Sequence, residues 1–242
     1  MLFNLSAIPE PVIRLCEILG PQKTYVVGGI IRDSILAEPS VESIQNVVGN
    51  DWDLATPLHP KEVMSRLRSA RITAVPIGIE HGTVAAVMDG TQYEITTFRY
   101  DIEYLDGRHP TVRFADTLEE DLQPRDFTVN ALAMDVESGI IIDLFDGIRD
   151  MTTKIIRTVG DPETRFQEDY LRMLRAARFA AKLKGEIEAE TFAAILRNAH
   201  LIHRVSPERI RDEIVKMLSY PTPSHGFRLM HQTGLLRYIL PE

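Results

Sequence analysis

The sequence has a single cysteine, Cys16, among its 242 residues. One cysteine excludes an internal disulfide and an all-cysteine zinc site, so a hydrophobic core must stabilise the fold. No run approaches the roughly 18 apolar residues of a membrane span. The segment from Met1 to Gly20 also lacks the basic start of a secretory signal. We therefore expect a cytoplasmic protein of enzyme size with no membrane partner.

Basic residues are outnumbered: 27 Lys and Arg against 35 Asp and Glu give a net charge of −8. That balance argues against a basic surface for non-specific nucleic-acid binding. The arginines are nevertheless clustered, first between Arg165 and Arg178 and again at Arg204, Arg209 and Arg211. Any nucleic acid or nucleotide is expected to bind at these clusters.

Hydrophobic periodicity predicts an α/β head over residues 1–160 and an all-helical part over residues 161–242. In the head, helical patterns alternate with short β-rich runs that are separated by glycines. Three further expectations are specific. The charged stretch 100–112 is predicted to be a mobile loop, residues 118–133 a helix, and residues 164–183 one continuous helix.

Two aspartates, Asp51 and Asp53, flank Trp52 on a predicted strand. Because side chains alternate along a strand, both carboxylates point to one face and Trp52 to the other. Two carboxylates on one face suit a hard cation that bridges to substrate phosphates, although a solvated acidic pair gives the same pattern. Glu94, on the β-rich run 92–99, is a candidate third carboxylate or a charge on a strand face.

The run Gly-Gly-Ile-Ile-Arg-Asp at residues 28–33 lies between a predicted strand and a predicted helix. Glycines let backbone amides approach a phosphate, and a helix N-terminus attracts anions. Arg32 falls in the first helical turn and adds a fixed charge. A plain glycine-rich turn with a surface arginine fits the same residues. A phosphate cradle beside a carboxylate pair, however, is the arrangement that nucleotidyl transfer needs.

Two later segments carry polar side chains at helical spacing. Residues 124–131 bring together an arginine, a threonine and an asparagine, which suits sugar and phosphate contacts or a charged helix start. The second segment is residues 165–179, read at about 100° per residue. One arc of this helix collects Arg165, Glu168, Asp169, Arg172 and Arg175, with Arg178 at its edge. The arc indicates an exposed face for ligand binding or for surface salt bridges.

The sequence resembles the family of class II tRNA nucleotidyltransferases and bacterial poly(A) polymerases in four motifs, which occur in the family's order. They are Gly-Gly-x-x-Arg-Asp at 28–33, Asp-x-Asp at 51–53, Arg-Asp-Phe-Thr-x-Asn-Ala at 125–131 and Glu-Asp-x-x-Arg at 168–172. Lesser matches occur at 81–84, 106–110 and 206–210. The similarity runs from about Tyr25 to the C-terminus, and the ordered set is far more specific than any single motif.

The resemblance implies an α+β fold: a polymerase-beta-like nucleotidyltransferase head with a mixed sheet, followed by a helical neck. It implies that Asp51 and Asp53 are the catalytic residues and bind Mg²⁺. It further implies that Gly29, Arg32 and Arg125 hold the incoming triphosphate.

The same resemblance assigns selection of the base to the neck. Asp169 and Arg172 are expected to pair with the base, with Arg175 and Arg178 nearby. The protein, and not a nucleic-acid template, would then choose the nucleotide.

Three features depart from the family pattern. Pro124 stands where the family usually has an arginine, and the stretch 34–50 is longer than usual before the metal strand. Family members also usually continue into helical body and tail regions that grip tRNA, whereas this sequence stops at Glu242. We expect only head and neck here.

The implied activity is template-independent RNA nucleotidyl transfer, in which CTP and ATP supply the CCA end of tRNA. Residues 130–135 resemble the tRNA enzymes more than the poly(A) enzymes. The retained stretch 100–112 argues against addition of CC alone, which the family links to a shortened loop. Poly(A) polymerase, CC-only or A-only addition, and a nucleotide-binding fragment without turnover stay as alternatives. The oligomeric state is left open.

Overall fold

The computed structural model describes residues 1–20, 24–37, 52–104 and 110–240. The chain forms two compact units, each assembled from three segments. Unit 1 comprises Met1–Ile102, Val112–Gln123 and Asn130–Leu144, and unit 2 comprises Glu103–Thr111, Pro124–Val129 and Phe145–Glu242. A domain boundary near residue 160 stays a prediction.

Helices and strands are interspersed up to residue 156, and helices dominate thereafter. The helices are α1 (Glu10–Leu19), α2 (Gly29–Leu36), α3 (Pro60–Ser69), α4 (Leu118–Leu122), α5 (Gly147–Thr153), α6 (Pro162–Glu168), α7 (Leu171–Leu183), α8 (Ala189–Asn198), α9 (Pro207–Leu218), α10 (Pro223–Gln232) and α11 (Leu236–Ile239). The strands are β1 (Tyr25–Val27), β2 (Asp53–Thr56), β3 (Thr73–Gly78), β4 (Thr83–Met88), β5 (Thr91–Thr97), β6 (Arg99–Tyr104), β7 (Pro110–Phe114), β8 (Leu132–Asp135), β9 (Ile141–Asp143), β10 (Ile155–Ile156) and β11 (Glu186–Ile187). Short 3₁₀ turns cover Leu5–Ala7, Ile79–His81, Thr128–Asn130 and Ala199–Arg204.

Unit 1 is built on a mixed seven-stranded sheet in the order β3-β4-β5-β2-β1-β8-β9. Strands β2 and β5 run parallel, and the other neighbours are antiparallel. Leu54 and Ile95 are register partners, and both are fully buried. Helix α3 packs on β3 and β4, and α1 packs on α3. Helix α1 buries Val12, Leu15 and Leu19, because residues three or four apart lie on one helical face.

The predicted helix over residues 118–133 is wrong beyond its first turns. Helix α4 begins with a capping box between Thr117 and Glu120 and stops before Pro124, which has no N–H to continue it. Residues 132–135 form strand β8 instead, between β1 and β9. A short apolar run fits a buried helix and a buried strand equally well, and pairing with two neighbours decides for the strand.

The predicted loop over residues 100–112 is also wrong in part. Strands β6 and β7 form a separate two-stranded sheet, while residues 105–109 lie outside the described part. Tyr100, Ile102 and Tyr104 alternate with Asp101 and Glu103. This period of two is typical of a strand, although the charge of the segment favoured a loop.

Unit 2 contains the helical C-terminal region, in which α7 packs against α9 and α10. Two corrections apply. The predicted helix over residues 164–183 is broken at Asp169, which has extended dihedral angles, φ −153° and ψ 106°. The region is not wholly helical either, because β11 pairs in parallel with β10. In the described part of the chain, no helix is long and apolar enough to cross a membrane.

Candidate active site

The carboxylate of Asp53 lies at the start of β2 in unit 1 and is partly exposed. Because Leu54 pairs with Ile95, the preceding residues Asp53 and Glu94 lie side by side on parallel strands. Side-chain alternation places both on the face opposite the buried Leu54 and Ile95, and Glu94 is exposed. The structure thus brings Glu94 beside Asp53, as a third carboxylate requires.

Asp51 lies outside the described residues, so its position relative to Asp53 stays a prediction. Trp52 is 3% exposed and packs edge-on against Phe3, with ring centroids 6.5 Å apart. This buried indole anchors the chain between the two aspartates. Among the residues that the structure describes, no group of three or more His, Cys, Asp or Glu is arranged to hold a metal.

The glycine-rich turn lies next to Asp53. Val27, the last residue of β1, is the register partner of Asp53, and Gly28 follows with φ +83°. Only glycine adopts that angle readily. Gly29 opens helix α2, whose first backbone amides have no partner within the helix. The turn and the carboxylate are therefore neighbours on adjacent strands.

The guanidinium of Arg32 is 5% exposed and bound from two sides. It forms a bidentate pair with Asp33, with Nε–Oδ1 at 2.8 Å and Nη2–Oδ2 at 2.9 Å. Its Nη1 donates to Oδ1 of Asn130. The sequence alone did not identify Asp33 and Asn130 as partners of Arg32. Both residues belong to the motifs, but a motif does not show which side chains contact each other.

Arg125 is partly buried and belongs to the unit 2 segment Pro124–Val129. The two residues after it connect this segment to helix α7. Asp126 accepts hydrogen bonds from Arg175, with Nε at 2.8 Å and Nη2 at 2.7 Å. The fully buried Phe127 packs edge-on against Phe179, with centroids 5.7 Å apart. These contacts fix the backbone on the C-terminal side of Arg125.

Asp169 and Arg172 do not share one helical face, because the predicted continuous helix is broken at Asp169. Their contact with the base stays a prediction. Asp169 ends α6, and its Oδ1 accepts from the backbone N–H of Leu171 at 3.0 Å, which starts α7. Aspartate competes with helical hydrogen bonding through such local contacts. Arg172 donates to Glu168 Oε2 at 2.5 Å and to the carbonyl of Pro124 at 3.0 Å.

The two remaining predicted arginines converge on a buried acid, Glu213. Arg178 Nε donates to Glu213 Oε2, and Arg178 Nη1 donates to Tyr220 Oη at 2.9 Å. Arg175 Nη1 lies 3.5 Å from Glu213 Oε1. Burial alone would lower the pKa of Arg175, but Asp126 and Glu213 raise it above its ordinary value. The charge of this guanidinium is therefore permanent.

Comparison with known proteins identifies the family. Residues 24–157 match the family described as Poly A polymerase head domain. The chain belongs to that family. Residues 186–242 match a second family, described as "Probable RNA and SrmB- binding site of polymerase A". The predicted resemblance, the polymerase-beta-like head and the helical C-terminal region are confirmed.

Curated members of this family include CCA-adding enzymes. The chain is 47% identical to that of Enterococcus faecalis over 97% of its own length and 56% of the relative's. It is 45% identical to that of Ligilactobacillus salivarius over 89% of its own length and 50% of the relative's. The crystal structure of the Bacillus stearothermophilus CCA-adding enzyme in complex with CTP matches with a TM-score of 0.80 and 38% identity, over 97% of this chain and 55% of that one. The chain thus spans about half the length of these relatives.

Proposed function

We propose that the protein is a template-independent RNA nucleotidyltransferase that adds CMP and AMP to the 3′ end of tRNA in the cytoplasm. One observation carries the proposal: the register pair Val27–Asp53 sets the Gly28-Gly29 turn beside a partly exposed carboxylate. A phosphate cradle next to a carboxylate is what transfer of a nucleoside monophosphate from a triphosphate requires. Similarity to CCA-adding enzymes supports tRNA, CTP and ATP as the substrates.

In the head, we assign each group one task. Asp51 and Asp53 would hold Mg²⁺, with Glu94 as a third carboxylate, and the oxygen donors at Asp53 and Glu94 suit a hard cation. When bound, the metal supplies charge neutralisation at the reacting phosphate. The backbone N–H of Gly29 and the guanidinium of Arg32 would hold the triphosphate, and Arg125 would add a further positive charge.

In the neck, we assign the choice of base to Asp169 and Arg172, with Arg175 and Arg178 beside them. A carboxylate accepts from an exocyclic amino group, and a guanidinium donates to ring or carbonyl acceptors. Cytosine and adenine both present an amino group next to a ring acceptor. Uracil and guanine do not present that arrangement on the Watson–Crick edge, where their ring nitrogen is a donor, so they would leave polar groups unpaired.

The decisive experiment is incubation of the full chain with labelled tRNA that lacks its last three nucleotides, together with CTP and ATP. Addition of three nucleotides, in the order C, C, A, is expected. Two cytidines only, one adenosine only or a long adenosine tract would replace this function with CC-only addition, A-only addition or poly(A) synthesis. Binding of CTP without any extension would indicate a nucleotide-binding fragment. If the chain neither binds CTP nor extends the tRNA, the proposal is overturned.

A further inference from the structure

The position of the Arg32 guanidinium is unusual for a cation. Arg32 belongs to the first turn of α2 and folds back toward the start of that helix. A Cβ atom on Gly29 would lie 3.1 Å from Nη2 of Arg32, so the guanidinium lies directly beside the first helical residue. The N-terminus of a helix carries positive partial charge, and a cation there is unfavourable.

Two side chains hold the guanidinium in that place. The Asp33 carboxylate, which is the residue next in sequence, pairs with Nε and Nη2. The side-chain amide oxygen Oδ1 of Asn130 accepts from Nη1. Asn130 is 7% exposed and ends the 3₁₀ turn that leads into β8. Leu132 in β8 accepts a hydrogen bond from the N–H of Gly28 at 3.2 Å, so the same strand end supports both Asn130 and the glycine turn.

The two partners of Arg32 differ in charge, since Asp33 is a carboxylate and Asn130 a neutral amide. Asp33 neutralises Arg32, so the ion pair has no net charge. Asn130 adds an acceptor without adding a charge, whereas a second carboxylate would make the group negative. A negative group beside a helix N-terminus would repel a triphosphate. A neutral amide at residue 130 therefore holds the Arg32 guanidinium in place without repelling an anionic ligand.

We propose that Asn130 is a positioning residue for triphosphate binding, which acts by holding the Arg32 guanidinium against the start of α2. The proposal rests on the proposed function, which gives Arg32 the triphosphate contact. Asn130 does not touch the nucleotide in this scheme. Its loss frees Arg32 to leave the position that the contact needs.

The test compares the affinities of the full chain for CTP and for CMP, both with Mg²⁺, by calorimetry. Asn130→Ala is expected to weaken CTP binding by about tenfold, the loss typical of one hydrogen bond to a charged group, while CMP binding stays unchanged. Asn130→Asp is expected to weaken CTP binding by a similar factor for another reason, because its carboxylate makes the Arg32 group negative and repels the triphosphate. Asn130→Asp should keep more thermal stability than Asn130→Ala, since its carboxylate still accepts from Arg32. Asn198→Ala removes a different buried amide, which donates to Glu163, and should leave the ratio of CTP to CMP affinity unchanged.

The variant Arg32→Lys tests the role of Arg32 apart from that of Asn130, because lysine lacks the planar guanidinium that Asp33 and Asn130 hold. A lower CTP affinity in Arg32→Lys with wild-type affinity in both Asn130 variants would overturn the role of Asn130 alone. Equal losses of CTP and CMP affinity in the Asn130 variants would show a merely structural role and also overturn it. An unchanged ratio in Arg32→Lys would remove Arg32 from the triphosphate site, and the inference with it.

Discussion

The Asp169 carboxylate is held by Arg209, with Nη2–Oδ2 at 2.7 Å and Nη1–Oδ1 at 3.3 Å. Arg172, which is expected to contact the base together with Asp169, donates to Glu168. Both members of the Asp169–Arg209 pair are largely buried, with side chains 15% and 24% exposed. Arg209 therefore sets the orientation of the acceptor that we assign to the nucleobase.

Arg209→Ala should lower base selectivity more than it lowers stability, because Asp169 loses the cation that orients it. We expect misincorporation of UTP and GTP, relative to CTP and ATP, to rise by about tenfold. Asp169→Ala and Arg172→Ala should act in the same direction. Arg211→Ala is the matched control, since Arg211 is exposed and pairs only with its neighbour Asp212 among the contacts described. Selectivity unchanged in active Arg209→Ala enzyme would remove this helix junction from base selection.

Asp51→Ala and Asp53→Ala should each reduce nucleotide transfer by about a hundredfold or more and leave the fold intact. Asp53 begins a strand whose other residues are buried, so the sheet does not depend on its carboxylate. Extension of labelled tRNA measures transfer, and circular dichroism melting measures the fold. Substantial Mg²⁺-dependent transfer by either variant would contradict the metal assignment.

Glu213→Ala should destabilise unit 2 strongly. The Glu213 side chain is 4% exposed and faces Arg178, which is 7% exposed. Removing one partner of a buried ion pair costs about 3–5 kcal/mol, here because Arg178 stays buried with less compensation. Urea unfolding measures the change, with exposed Asp212→Ala as the control near zero. A loss below about 1 kcal/mol would show that Arg178 is solvated without Glu213.

Cys16 should be inert to thiol reagents in the folded protein. Burial, together with Asp135 and Glu17, raises the pKa of its thiol to about 12, so thiolate is scarce near neutral pH. Because the folded-state pKa is raised, this group's contribution to stability is complete below the unfolded pKa, near 9, and falls as the pH rises toward 12. Labelling at pH 8 with and without urea tests the first statement. Cys16→Ala should lessen the alkaline loss of stability, and rapid labelling of native protein would contradict the assignment.

RNA binding by this chain should be weak and salt-dependent. The net charge is −8, so attraction to phosphates depends on a few arginines. With three phosphate contacts on single-stranded RNA, raising salt from about 50 to 200 mM should weaken binding by about 20-fold. Fluorescence anisotropy with a labelled single-stranded RNA that has the sequence of a tRNA 3′ end measures this slope. Tight binding that does not change with salt would contradict it.

Several helices of the C-terminal region were predictable because their signals are local. Apolar residues at helical spacing predict helices over residues 189–198 and 207–218, and α8 and α9 have these bounds, with Pro207 in the first turn of α9. The β-rich run 83–88 between two glycines likewise predicts a strand, and β4 has these bounds. The strand β8 was not predictable in this way. Its four residues acquire their structure from β1 and β9, which lie elsewhere in the sequence.

The sequence identified residues of the candidate site, but it did not show which side chains contact one another. The motifs located Arg32, and the helical arc located Arg175 and Arg178. Neither revealed that acidic or amide side chains hold these arginines. Asp126 and Arg175 are 49 residues apart, and Arg178 and Glu213 are 35 apart. Such distant pairs leave no periodic signal in a single sequence. The match at 206–210 and the arginine cluster at Arg204, Arg209 and Arg211 were the available hints that α9 contributes Arg209.

The contacts of the short segment Pro124–Val129 determine when this segment can pack during synthesis of the chain. Unit 1 is complete once Leu144 has left the ribosome, but Phe127 must wait for Phe179, the ring it packs against. Until α7 emerges, this aromatic side chain, which is fully buried in the folded protein, lacks the ring that it packs against. Nascent chains that stall before residue 179 would therefore present Phe127 to chaperones, although every segment of unit 1 has already been synthesised.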